Sequence, residues 1–140
     1  MALKFTAAEL ITYLDEVFPQ MTQRFSIEEI GEMGITTRLR VGEQDLRPGG
    51  TVAGPSIFAL ADVSVYMAVL AMVGREALAV TTSCSIDFMR KPAAGVDLIA
   101  SCRLLKLGRV LAVGDVLIHS EGQVAPVARA SLTYSIPPAR

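Results

Sequence analysis

The sequence has no tryptophan, a single histidine (His119) and only two cysteines, Cys84 and Cys102. Two thiols and one imidazole fall short of a structural metal site, so no metal is expected. Both cysteines stand among apolar residues, which reads as two buried free thiols in a cytoplasmic protein rather than a disulfide. Basic charge is not in excess. Against 13 Lys and Arg stand 14 Asp and Glu, with a net charge of −1 and no basic stripe. A nucleic-acid partner is therefore not expected. The opening Met-Ala-Leu-Lys-Phe-Thr-Ala-Ala-Glu also lacks the basic-then-apolar order of a secretion signal.

Charge is scarcest in the middle of the chain. From Pro48 to Gly74 there is one charged side chain, Asp62. Only 63–73 of that apolar run is free of Asp62 and of the Gly54-Pro55 start, short of the ~20 residues a membrane span needs. No membrane partner is expected. A helix that is apolar on every side is a buried helix. An unpaired carboxylate inside it costs on the order of several kcal/mol. Asp62 is thus either hydrogen-bonded within the fold or a catalytic carboxylate whose protonation is set by a dry pocket.

What is abundant is apolar surface. Hydrophobic residues make up 51% of the 140 residues, with a mean hydropathy of +0.45. A chain of this size has a limited interior, so the surplus is expected to meet a partner subunit.

Local signals order the elements. Residues 6–18 read as an amphipathic helix, with Thr6 and Glu9 as a capping box. Leu10, Leu14 and Val17 form its stripe and Pro19 its stop. Residues 25–41 read as two short strands broken near Gly31 to Gly34. The loop 42–52 is dense in Gly and Pro. A long helix over 55–73 follows, with Gly54 as its cap, Pro55 at its first position and Gly74 in the left-handed conformation after its end. The segment 78–136 is strand. Val80, Thr82, Cys84, Ile86 and Phe88 alternate with polar residues, and Leu98 to Leu104, Val110 to His119 and Ala128 to Ile136 follow. The fold class is α+β: an antiparallel curved sheet around one long buried helix, with an extra N-terminal helix. Linkers and repeats are lacking, so 1–140 reads as one domain.

This order, together with Leu60-Ala61-Asp62, resembles the hotdog-fold acyl-CoA thioesterases of the PaaI type. Their signature runs Asn, Gly, His-Gly-Gly and then Leu-Ala-Asp. Here Arg47 stands at the Asn, Gly50 at the first Gly, and Ala53-Gly54-Pro55 at His-Gly-Gly. Ser85-Ile86-Asp87-Phe88-Met89-Arg90-Lys91-Pro92, Gly108-Arg109 and Ala128-Arg129-Ala130-Ser131-Leu132-Thr133-Tyr134 resemble later strands of that family. The His and Asn are replaced, and Pro55 has no amide to donate.

The resemblance implies hydrolysis of an acyl-CoA thioester, with coenzyme A as part of the substrate and no separate cofactor. Asp62 would serve as general base or nucleophile and the Gly54 amide as oxyanion donor, since helix N-termini favour negative charge. By resemblance Thr81 orients the water; otherwise it is a solvent-facing strand residue. Phe58 and Tyr66 lie on the Asp62 face of the helix, lining an acyl pocket or packing the core. Arg47, Arg90, Lys91 and Arg109 are candidates for coenzyme A phosphates or solvated charges. Alternatives are a non-catalytic acyl-CoA binder, or a hotdog hydratase or dehydratase, for which His119 is badly placed. Gly54 and Asp62 lie about 12 Å apart along one helix. A shared site in a homodimer, assembled as a dimer of dimers, follows as an expectation.

Overall fold

The computed structural model describes residues 2–138. Helix α1 (Ala7–Val17) begins at the expected capping box. The Glu9 amide donates to Thr6 Oγ1 at 3.1 Å, and the Thr6 amide donates to Glu9 Oε1 at 2.8 Å. Leu10 and Leu14 are fully buried, and Phe5 stacks on Tyr13. Pro19 ends α1 but also opens a second short helix, α2 (Pro19–Thr22). Proline suits a first helical turn as well as it stops a preceding one.

Strands β1 (Phe25–Gly31) and β2 (Gly34–Leu39) form a hairpin. A single 3-10 turn, Glu43–Asp45, leads into α3 (Gly54–Val73). Then come β3 (Val80–Phe88), β4 (Leu98–Leu107), β5 (Leu111–Ser120) and β6 (Pro126–Ser135). All pairings are antiparallel, in the spatial order β1-β2-β4-β5-β6-β3.

The sheet curls around α3. Of the most apolar window of that helix, 72% is buried inside the protein. Leu60, Val65, Met67 and Leu70 of α3 meet the inward residues Leu98, Ile118 and Leu132, all at 1% exposure or less. Each such side chain contributes about 1.5–3 kcal/mol by leaving water. Gly114 lets β5 press onto the helix, because a side chain there would stand 3.1 Å from a Val65 methyl. One stripe of α3 stays uncovered: Pro55 and Phe58 are exposed, while Ala59, Asp62 and Val63 are half-buried. Their spacing of three and four residues puts them on one face.

Four expectations need correction. The α3 helix starts at Gly54 with Ala53 as its N-cap, and Ala53 offers no side-chain cap. Gly74 has φ +97° but ψ −148°, so it is not in the left-handed helical well. The strict alternation in β3 also fails. A bulge between Thr81 and Ser83 places Thr81 opposite Tyr134 and Cys84 opposite Leu132. Both partners are buried on the inner face, so Thr81 points inward together with Cys84, Ile86 and Phe88. Because β3 is an edge strand, those inward residues are poorly covered, and Cys84 is exposed rather than buried.

Candidate active site

Asp62 sits midway along α3, on the uncovered stripe. Its Oδ1 accepts two hydrogen bonds, from Thr81 Oγ1 at 2.5 Å and from Tyr134 OH at 2.8 Å. The two donors are cross-strand neighbours on β3 and β6, so the bulge that turns Thr81 inward also creates this clamp. The Tyr134 hydroxyl lies 3.1 Å from the Asp62 carbonyl as well. Among the described residues nothing donates to Oδ2. One carboxylate oxygen is therefore held and the other left open, the arrangement a general base or nucleophile needs. The carboxylate is half-buried and paired, not the lone buried charge that the composition suggested. Burial, reinforced by the Asp62 charge, holds the Tyr134 phenol well above the ordinary tyrosine value, so it remains a donor through alkaline pH. Although Cys84 is exposed, partial desolvation by the surrounding residues and the same charge push its thiol above the ordinary value.

A hydrogen bond to a charged group is worth about 1.5–3 kcal/mol. Thr81→Val and Tyr134→Phe are each expected to lower kcat by roughly 10- to 100-fold with KM nearly unchanged. Turnover kinetics of the two variants test this. Full turnover in both variants would show that the clamp does not orient the reacting oxygen.

At the start of α3 the amides are nearly all spoken for. Ala53 N–H donates to the Asp45 carbonyl at 2.7 Å, and those of Ser56 and Ile57 both go to the Ala53 carbonyl. Pro55 has none. The Gly54 N–H alone in this first turn lacks an acceptor among the described residues, at the end of the helix where the dipole favours negative charge. The Phe88 ring roofs it: a side-chain carbon on Gly54 would stand 3.4 Å from Phe88 Cζ. Gly54 thus lies beside the end of β3, while Asp62 lies beside its start. One chain keeps the two apart, by about 12 Å along the helix.

The remaining candidates scatter. Arg47 is exposed in a tight turn, its amide donating to the Thr51 carbonyl at 2.9 Å, and Gly49 and Gly50 supply the positive φ values the turn requires. Phe58 is exposed beside Asp62 on the open stripe. Tyr66 is buried: its hydroxyl donates to the Ala77 carbonyl at 2.8 Å, and its ring lies between Phe18 and Tyr134. Arg90 donates to the Pro126 carbonyl at 2.9 Å, at the Gly54 end of the sheet, with Lys91 next to it. Arg109 lies in the β4–β5 turn, at the Asp62 end. The basic residues therefore do not form one cluster within a chain. Among the described residues no group of three His, Cys, Asp or Glu is placed to hold a metal. A depression of about 860 Å³ lies on the outer face of the sheet, lined by Thr36, Arg103, Asp115, Leu117 and Arg129, away from Asp62.

The sequence model of the Thioesterase superfamily matches residues 49–127, which span Gly54, Asp62 and Thr81. The chain belongs to that superfamily. A candidate thioesterase from Silicibacter sp. TM1040 is 64% identical, with 99% of this chain and 96% of that chain covered and a TM-score of 0.92. A mutant of phenylacetic acid degradation protein PaaI from Thermus thermophilus is 27% identical, with 85% and 99% covered and a TM-score of 0.72. A protein from Streptococcus mutans UA159 shares the fold at 23% identity, with 83% and 90% covered and a TM-score of 0.72. No curated protein matches the chain. Together these establish the hotdog fold of the PaaI type and support thioester hydrolysis as the reaction class.

Sequence reasoning about this superfamily member missed two groups. Tyr134 looked like one more inward apolar residue of β6; its polar tip was the only hint. Asp45 was lost in the Gly/Pro-rich loop, next to the exposed Glu43, yet among the described residues it is the one fully buried side-chain carboxylate. Its Oδ1 accepts from Arg24 Nη2 at 2.5 Å and from Ser56 Oγ at 2.8 Å, and its Oδ2 accepts from the Gly42 amide at 2.8 Å. Burial alone would raise its pKa; the Gly42 amide, the Ser56 hydroxyl and Arg24 reverse that and hold it below the ordinary carboxylate value.

Proposed function

We propose that this superfamily member hydrolyses acyl-CoA thioesters to the free acid and coenzyme A, at a site shared by two copies of the chain. The observation that carries the reading is the Asp62 carboxylate, clamped through one oxygen and open through the other, on the uncovered stripe of an otherwise buried helix. In the general-base form, Oδ2 takes a proton from water as the water oxygen bonds to the thioester carbon. The carbonyl oxygen becomes an oxyanion facing a Gly54 amide. The C–S bond then breaks and the leaving thiolate takes up the proton. In the nucleophilic form Oδ2 itself bonds to the carbon and the C–S bond breaks to release the coenzyme A thiolate. Water then cleaves the resulting anhydride, which frees the acid, restores the Asp62 carboxylate and supplies the proton that the thiolate takes up. Acyl-CoA as substrate gains support from the Streptococcus mutans protein, which was solved bound to acetyl CoA.

The shared site rests on the free edge of β3. Val80 and Phe88 are 55% and 54% exposed there; the strand has no proline to protect its edge, and its single charge, Asp87, is paired with Arg129 of β6 at 2.9 Å. Pairing of β3 with a second copy about a two-fold axis runs the two strands antiparallel. The two α3 helices then also run antiparallel. The Phe88 end of one chain meets the Val80 end of the other, so Gly54 approaches the partner's Asp62. The same operation brings Arg90 and Lys91 alongside the partner's Arg109, a two-chain cradle for coenzyme A phosphates. Association of two such dimers is part of this proposal. The hydratase alternative finds no support, since His119 stands between the inward, buried Ile118 and Ser120 of β5 and so faces the outer side of the sheet, opposite to α3.

A panel of acetyl-, octanoyl-, palmitoyl-, benzoyl- and phenylacetyl-CoA in a thiol-release assay tests the reading. Turnover of at least one ester is expected, with KM rising with salt because exposed charges are screened over roughly 10 Å at 0.1 M. Removing Arg90, Lys91 or Arg109 is expected to raise KM and spare kcat. A complete lack of turnover would overturn the proposal, and a salt-independent KM would point to an acyl group carried on something other than coenzyme A.

A further inference from the structure

We infer that the buried Asp45 carboxylate, through Ser56 and with Arg24 as its counter-ion, is the positioning group of the Gly54 amide. The inference rests on the reading of Gly54 as oxyanion donor. No side chain caps α3 at Ala53, so the start of the helix must be held by something else. Asp45 holds it from both sides. Its carbonyl accepts from the Ala53 amide at 2.7 Å, one residue before Gly54. Its Oδ1 accepts from Ser56 Oγ at 2.8 Å, two residues after. The dipeptide Gly54-Pro55 hangs between these two grips and makes neither contact itself.

The carboxylate is in turn fixed by the Gly42 amide and by Arg24, and it is wholly excluded from solvent. Arg24 lies over the Phe25 ring with its Nε lacking any partner among the described residues. The guanidinium therefore spends its directed contact with a side chain on Asp45. That pairing serves chemistry as well as structure. An uncompensated carboxylate close to Gly54 would oppose the negative charge that develops on the thioester oxygen. With Arg24 paired to it, the start of α3 keeps its favourable potential for an anion.

Ser56 separates positioning from mere folding, because Ser56→Ala removes one grip and leaves Asp45 its other partners. A catalytic donor displaced by a fraction of an ångström loses rate rather than affinity, and ~1 Å costs up to about 10²-fold. Ser56→Ala is expected to lower kcat about tenfold and to leave KM within about twofold. The decisive comparison repeats the substitution on Gly54→Pro, which has no amide left to position. There Ser56→Ala is expected to change kcat by less than about twofold. An equal tenfold loss in both backgrounds would make Ser56 and Asp45 purely structural and overturn the inference. So would wild-type kcat in Ser56→Ala. If Gly54→Pro itself retains wild-type kcat, the inference falls with the oxyanion assignment, while Asp62-dependent hydrolysis stands. If the wild type turns over no acyl-CoA at all, the inference falls together with the proposed function.

Discussion

Asp62→Asn is expected to lower kcat for acyl-CoA hydrolysis by about 10²–10⁴-fold, the range for loss of a positioned base. The geometry makes this substitution unusually clean. The carboxylate receives its two protein hydrogen bonds on one oxygen, from Thr81 and Tyr134. The amide oxygen of Asn accepts both in the same way. Its NH2 group then takes the place of the open Oδ2, which has no donor to clash with among the described residues. Shape, clamp and packing persist, and only the basic or nucleophilic atom is lost. Thermal unfolding and KM should stay close to the wild type, while thiol release collapses. If Asp62→Asn keeps most of the wild-type turnover, Asp62 is a structural group and the proposed mechanism fails.

The second large effect concerns the shared site. Gly54→Pro removes the one free amide at the start of α3. Gly54 is the first residue of that helix, a position where proline's fixed φ is tolerated. Loss of one oxyanion donor costs about 10²–10³ in kcat. Homodimers of Gly54→Pro and of Asp62→Asn should therefore both be nearly inactive. Mixed and allowed to exchange subunits, they should recover. Random pairing makes half the dimers heterodimers, and each heterodimer combines an intact Gly54 from one chain with an intact Asp62 from the other at one of its two sites. About a quarter of wild-type activity should return. Sites confined to single chains would stay inactive at every mixing ratio. That outcome, or full activity in a monomer, would sink the two-chain arrangement while leaving Asp62-dependent hydrolysis intact.

Much of this was legible before any coordinates. The Thr6–Glu9 box, the apolar run of α3, the break at Gly31 to Gly34 and the alternation of β4 all act between residues a few positions apart, and all appear where expected. Asp62 stood out because it is the only charge between Pro48 and Gly74.

Its environment was not legible. Tyr134, which clamps it, is 72 residues away in sequence. The two meet because β3 crosses over to pair with β6 at the far edge of the sheet. A single bulged residue then decides that Thr81 faces the helix and leaves Cys84 exposed on the same face. A period-two pattern cannot reveal a bulge, since one extra residue reverses every side chain beyond it.

Asp45 shows the same division. Glu43 and Asp45 are both acidic residues of one short turn, yet Glu43 is exposed and Asp45 is fully buried. The difference comes from Arg24 and Ser56, which arrive from the approach to β1 and the start of α3. By itself the sequence determined the main elements, the buried helix and the residue worth suspecting, because caps, breakers and hydrophobic period are local. Strand order, the bulge and the partners of Asp62 and Asp45 were decided only in the tertiary structure. Each depends on which distant segments pack together, and a local pattern holds no record of that.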